Sequence, residues 1–148
     1  VSEYHPDHPF EQEVNGIRNE NLENLSFANQ SFDLLITSAV LEHVSDLSKT
    51  LLEIRRVLKK DGCHIFTVPV NYYMNRTKTR VVLEENGKIN YILPPEIHGN
   101  DVSDGVLAYR NFGTDIKEII EGYGFVCNEE KFYVDDACVT SVYIARKV

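Results

Sequence analysis

The 148-residue chain has the length of one ordinary domain, and 43% hydrophobic against 26% charged residues suits a soluble chain with a buried core. Its 15 basic and 23 acidic residues give a net charge of −8, which argues against a nucleic-acid partner, because phosphate binding needs a basic face. No apolar run reaches the roughly 20 residues of a membrane span and no signal peptide is visible, so a cytoplasmic protein without a membrane span is expected.

The first thirty residues carry prolines and polar clusters with little periodicity, and predict connecting chain around one short extended piece near Val14 to Arg18. His5-Pro6-Asp7-His8 offers two imidazoles and a carboxylate, but Pro6 and Pro9 favour an extended path that separates the rings; a solvent loop, not a metal site, is expected. The chain begins at Val1 and its one methionine is Met74, so the natural amino terminus is expected upstream.

Phe32 to Ser38 contains the consecutive apolar residues Leu34, Leu35 and Ile36, the pattern of a strand covered on both faces. A helix follows over Asp46 to Lys60. Ser45 or Asp46 can cap it, and Leu47, Leu51, Ile54 and Leu58 recur at helical spacing. Arg55, Arg56, Lys59 and Lys60 read as a solvated helix end complementing the dipole, and Gly62 as a left-handed stop. Cys63 to Val68 is a second doubly buried strand, closed by Pro69. Strand, helix and strand at this spacing make a right-handed βαβ unit with parallel strands, and the fold class is α/β.

Beyond Pro69 two strand-like runs flank Asn86-Gly87, a strong hairpin signal, and a turn-rich loop with two prolines follows. Residues 71–112 are too long for a plain connection and read as a lid or substrate wall. Ile116, Ile119 and Ile120 mark a helix stopped by Gly124, and Phe125 to Val134 and Val139 to Arg146 are strands expected to pair antiparallel. Cys63, Cys127 and Cys138 form no Cys-x-x-Cys pair, so reduced thiols are expected, with neither disulfide nor zinc.

The stretch from Asn21 to Pro69, with "FDLL", "LEHV", "EIRRVLKKDG" and "VP", resembles the central block of class I S-adenosylmethionine-dependent methyltransferases, in the small-molecule branch of ubiquinone and menaquinone biosynthesis enzymes. The resemblance implies a Rossmann-like sheet of strand order 3-2-1-4-5-7-6. Here it would be partial, with strands 4, 5, 6, 7 and a piece of 3. Residues 1–148 would form a single, amino-terminally incomplete domain with the 71–112 insert as lid. The family's first strand ends in a glycine-rich cofactor loop, and that loop is expected to be absent from this chain.

Carried over residue by residue, the resemblance puts Glu3 on the ribose hydroxyls, Asn21 on the adenine amino group and Leu22 on the adenine face. Thr37, Ser38 and Ala39 would border the methionine part of S-adenosylmethionine, with S-adenosylhomocysteine as product. Glu42 and His43 are the family's "EH" pair, which either braces the corner or, through His43, takes part in catalysis. Methyl transfer from a sulfonium is dominated by positioning, and a general base is needed only for a hydroxyl or similar acceptor. His98 is the candidate base, or else a surface histidine bonded to its own turn. Tyr72, Tyr73, Tyr91 and Tyr109 are candidate walls of an acceptor pocket. Two readings stand: methyl transfer to a small-molecule acceptor, or a non-catalytic module that completes its sheet with another chain. Without the family's strand 1, the edge at Asp33 to Ser38 is a template for self-association or for a complementing segment.

Overall fold

The computed structural model describes residues 1–84, 86–99, 105–135 and 137–148. The expected lid's residues 100–104 and the side chain of Cys138 lie outside the described part. In chain order, β1 (Ser2–Glu3), β2 (Glu13–Val14) and β3 (Ile17–Asn19) precede β4 (Phe32–Ser38), α1 (Leu47–Val57) and β5 (Leu58–Thr67). The short strands β6 (Lys78–Thr79), β7 (Val81–Leu83), β8 (Ile89–Tyr91), β9 (Ile97–His98), β10 (Val106–Leu107) and β11 (Arg110–Asn111) follow. The chain ends with α2 (Ile116–Glu121), β12 (Phe125–Val134) and β13 (Ala137–Lys147).

The main sheet has the order β12-β13-β5-β4. β4 and β5 run parallel with Leu35 opposite His64 and Thr37 opposite Phe66, while β5 and β13, and β13 and β12, pair antiparallel. This is the segment 4-5-7-6 of the expected order. The piece expected to be strand 3 is not in this sheet: β1 pairs with β3 in parallel and β2 with β3 in a separate small sheet. There the single extended piece expected near Val14 is a hairpin. Asn15 and Gly16 both have positive φ (53° and 79°), the two-residue turn that an Asn-Gly pair favours. The loop ahead of it also differs from expectation, because His8 N–H bonds His5 O at 3.1 Å and closes a turn.

One face of the main sheet is covered. Leu51 and Ile54 of α1 and Ile116 and Ile120 of α2 pack with Phe66, Tyr143, Ala145, Phe125 and Cys127 in one core. Each fully buried aliphatic side chain there contributes roughly 1.5–3 kcal/mol. Asp46 caps α1 by accepting from Lys49 N–H. The helix ends at Val57, three residues before the expected Lys60, because Leu58 pairs with Phe32 and Lys59 and Lys60 continue in β5. Gly62 is not a left-handed stop. Asp61 carries the positive φ (62°), and Gly62 is needed for space, since a Cβ there would lie 2.9 Å from Lys59 O.

The other face is open. Leu34 and Ile36 are 47% and 66% exposed, and Cys63, Ile65 and Ile144 alternate onto the same side half-buried. The expectation that β4 and β5 are covered on both faces is therefore corrected: among the described residues both helices lie on one side. The chain's Gly-x-Gly, Gly122-Tyr123-Gly124, closes α2 and does not follow a parallel strand. No helix of the described residues is long and apolar enough to cross a membrane.

Candidate functional site

The carboxyl ends of the parallel strands β4 and β5 are tied together. Ala39, at positive φ (50°), donates its N–H to Thr67 O at 3.0 Å, and the Ser38 and Thr67 hydroxyls are 2.9 Å apart. Thr37 Oγ1 lies 3.0 Å from His64 Nε2 on the covered face. Thr37, Ser38 and Ala39 thus sit together at this end, with Ser38 and Ala39 exposed. Crevices outside the carboxyl ends of parallel strands are where open α/β sheets bind ligands.

The amino-terminal segment reaches the same corner. Glu23 accepts from Ser45 N–H at 2.6 Å, from the Ser45 hydroxyl at 2.8 Å and from Asp46 N–H at 3.1 Å, so it anchors the entry to α1. Asn21 accepts from Glu23 N–H through Oδ1 at 2.9 Å, and Leu22 packs half-buried against the core. Glu3 lies in β1; its backbone carbonyl accepts from Glu20 N–H, and its carboxylate is 3.1 Å from His5 Nε2. Burial of the Glu20 carboxyl works against its ionisation, but hydrogen bonds from Ser26 and Arg18 outweigh it and hold its pKa below the usual value.

After β4 the chain turns through Leu41, Glu42 and His43. Glu42 is only 1% exposed. His43 Nδ1 is 2.9 Å from Leu107 O, and its Nε2 is 3.7 Å from Glu42 Oε1. Tyr109 donates its N–H to Glu42 O at 2.8 Å, which ties the insert to the corner. Arg110 is buried and donates to the carbonyls of Leu41 and Ser45; burial pushes its pKa down to about 10, so it stays charged at neutral pH.

His98, on β9, brings its ring to 5.0 Å from that of His43 at a near-perpendicular angle. The two histidines that the sequence offers as separate candidates are therefore neighbours. His98 Nε2 is 2.8 Å from Glu96 Oε1, and the Glu96 carboxylate also takes Asn111 Nδ2 and Arg80 Nη1, each within 3.1 Å. The hydrogen bond from His98 leads in holding the Glu96 pKa below the usual carboxylate range. Glu96 is the site residue the sequence does not single out; its place two residues before His98 is the available signal.

A cleft of about 550 Å³ opens between the chain after β5 and the insert, lined by Pro69 to Tyr73, Glu96, His98 and Arg110 to Phe112. Tyr72 and Tyr73 line it as expected; Tyr91 and Tyr109 do not. The Tyr72 hydroxyl, 2.6 Å from Ser141 Oγ, fixes the cleft floor to β13. Cys63 and Cys127 are free thiols, and burial pushes the Cys127 thiol up to about 11.

A methyltransferase-domain family profile matches residues 5–66, less than half of the chain but the part that builds the β4 end. Solved structures share the fold. A Mesorhizobium loti S-adenosylmethionine-dependent methyltransferase is 20% identical at a TM-score of 0.58, over 97% of this chain and 72% of its own. A Methanosarcina mazei S-adenosylmethionine-dependent methyltransferase is 16% identical at 0.54, over 89% of this chain and 66% of its own. The Burkholderia thailandensis 1,6-didemethyltoxoflavin-N1-methyltransferase, with its substrate and S-adenosylhomocysteine bound, is 17% identical at 0.54 over 89% of this chain and 51% of its own. No curated protein matches the chain.

Proposed function

We propose that the chain takes part in methyl transfer from S-adenosylmethionine to a small-molecule acceptor, in the branch resembling ubiquinone and menaquinone biosynthesis enzymes. The observation that carries this reading is the methyltransferase-domain match over the very elements that bring the carboxyl ends of β4 and β5 to one open corner. The residues fit one side of such a cofactor. Ser38 and Ala39 are exposed at the strand end, Leu22 is half-buried nearby in sequence to Asn21, and Asn21 Oδ1 keeps a second lone pair beside its bond to Glu23. Glu3, on the neighbouring small sheet, is the residue for the ribose hydroxyls.

The cofactor supplies an electrophilic methyl group; the protein supplies position. The cleft beside the β5 end holds the acceptor, and Tyr72 and Phe112 give it apolar wall. With Nε2–H donated to Glu96, His98 presents Nδ1 as the nitrogen able to take an acceptor proton, and the carboxylate fixes its tautomer. His43, its Nδ1 directed at Leu107 O, is a positioning residue for the corner.

Cofactor binding by this chain by itself is proposed to be weak. Few groups face the β4 end, and no glycine-rich loop flanks it among the described residues. A micromolar dissociation constant corresponds to about −8 kcal/mol, more than those contacts readily supply. The open β4 edge favours a second reading, a non-catalytic module that completes its sheet with another chain. Calorimetric titration with S-adenosylmethionine separates the two. One-to-one binding weaker than about 1 µM is expected; no heat at millimolar cofactor would favour the module, and tighter binding would overturn the weak-site reading.

A further inference from the structure

Glu42, His43 and His98 each bring one ligand-capable atom to a common point, all within 4.8 Å of one another. The three come from two separate elements, the corner after β4 and the insert strand β9. What the cluster contains is unusual. Glu42 Oε2 is buried with no hydrogen-bond partner among the described residues, in a side chain that is 1% exposed. A buried carboxylate oxygen without a donor is costly, and native structures rarely keep one unless something fills the place. Arg110, the buried cation of this corner, gives its hydrogen bonds to the carbonyls of Leu41 and Ser45.

The histidines are arranged as ligands. An Nδ1–H of His43 donated to Leu107 O leaves Nε2 as a lone pair, and that lone pair lies 3.7 Å from Glu42 Oε1. Two acceptors facing each other are stable only with a proton or a metal ion between them. His98 donates through Nε2 to Glu96, which leaves Nδ1 with the lone pair. Glu96 is itself held by Arg80 and Asn111. A ring nitrogen free and the other bonded to a carboxylate or backbone carbonyl is the outer-shell arrangement that fixes metal-binding histidines.

We propose that Glu42, His43 and His98 form a binding site for a divalent transition-metal ion, zinc being the best fit to two imidazoles and a carboxylate. Three protein ligands leave a coordination position open, the pattern of sites that act on an added ligand instead of only bracing the fold. Bonds of about 2.0–2.1 Å require tetrahedral ligand atoms about 3.4 Å apart, so from separations within 4.8 Å no pair closes by more than about 1.4 Å. His98 is a third exposed on a short strand and supplies that movement. Because His98 also lines the cleft, the ion stands at its rim, where an oxygen of a bound molecule can take the open position. The ion would then act on that oxygen in place of the free His98 nitrogen. This inference does not rest on methyl transfer.

The test uses the chain as it is, first stripped with chelator. Zinc titration should show one equivalent bound per chain, and cobalt should give the visible d–d bands of a four-coordinate site. His98→Ala should weaken zinc binding at least about ten-fold while far-ultraviolet circular dichroism stays unchanged. Glu42→Gln should do the same, and His5→Ala, which removes the other histidine pair, should not. No bound equivalent would overturn the site. So would binding that survives His98→Ala or disappears with His5→Ala.

Discussion

His64 sits in β5 with no exposed surface, stacked on Phe66 at 4.8 Å and joined through Nε2 to Thr37. Its Nδ1 has no partner among the described residues, so the tautomer protonated at Nε2 leaves only a lone pair unpaired. Burial pushes its pKa down to about 3 from the usual 6.5. The native ring is therefore neutral while an unfolded ring takes a proton below about pH 6.5. Stability is unaffected above that pH and falls as pH drops from 6.5 toward 3, by about 1.4 kcal/mol per unit. Between pH 6.5 and 4.5 the loss from this residue is about 2–3 kcal/mol. Urea unfolding of the parent and of His64→Phe across this range should show the parent losing that much more; parallel pH profiles would refute the assignment. At this scale the sequence was informative about residue type and not about environment. Asp46 as helix cap, Leu51 and Ile54 as core and Asn86-Gly87 as a turn were all readable from local spacing. That His64 is buried and Ile65 is not depends on which sheet face the helices occupy, and an apolar run such as "CHIFTVPV" does not record that.

β4 is legible in the sequence as a strand, but its surroundings are not. Its existence, bounds and parallel pairing with β5 follow from Phe32 to Ser38 and the helix after it. Its surroundings do not, because Leu34 and Ile36 are apolar yet exposed. The end of α1 is hidden in the sequence for a related reason: Lys59 and Lys60 are good helix formers, and pairing of Leu58 with Phe32 overrides that preference. Among the described residues β4 is the outer strand of the main sheet, with unpaired backbone groups and an apolar face, and neither proline nor lysine interrupts it. We propose that a second copy of the chain pairs along this edge. Leu35 points to the core and cannot probe it, whereas Ile36 is open to solvent. Sedimentation at low micromolar concentration should find self-association in the parent that Ile36→Lys disrupts. A parent that is monomeric throughout would rule out the edge as an interface.

For the molecule as a whole, the four-strand order was accessible through resemblance to a known fold, since strand patterns by themselves leave the order of β5, β13 and β12 open. The insert was recognised by its length and its hairpin. Its main consequence was not: Tyr109 bonds the corner backbone at Glu42 and carries β9 back across it, which sets His98 against His43. No local pattern reports such a meeting. The carboxyl ends of β4 and β5 are proposed as the cofactor side of a methyl-transfer site, and the cleft as its acceptor side. The direct test is an amide-resolved magnetic-resonance titration of the labelled chain with S-adenosylhomocysteine. Saturable shifts centred on Leu22, Ser38 and Ala39 are expected, with the open sheet face around Val126 and Ile144 unmoved. Shifts absent from the β4 end at saturating ligand, or confined to that open face, would contradict it.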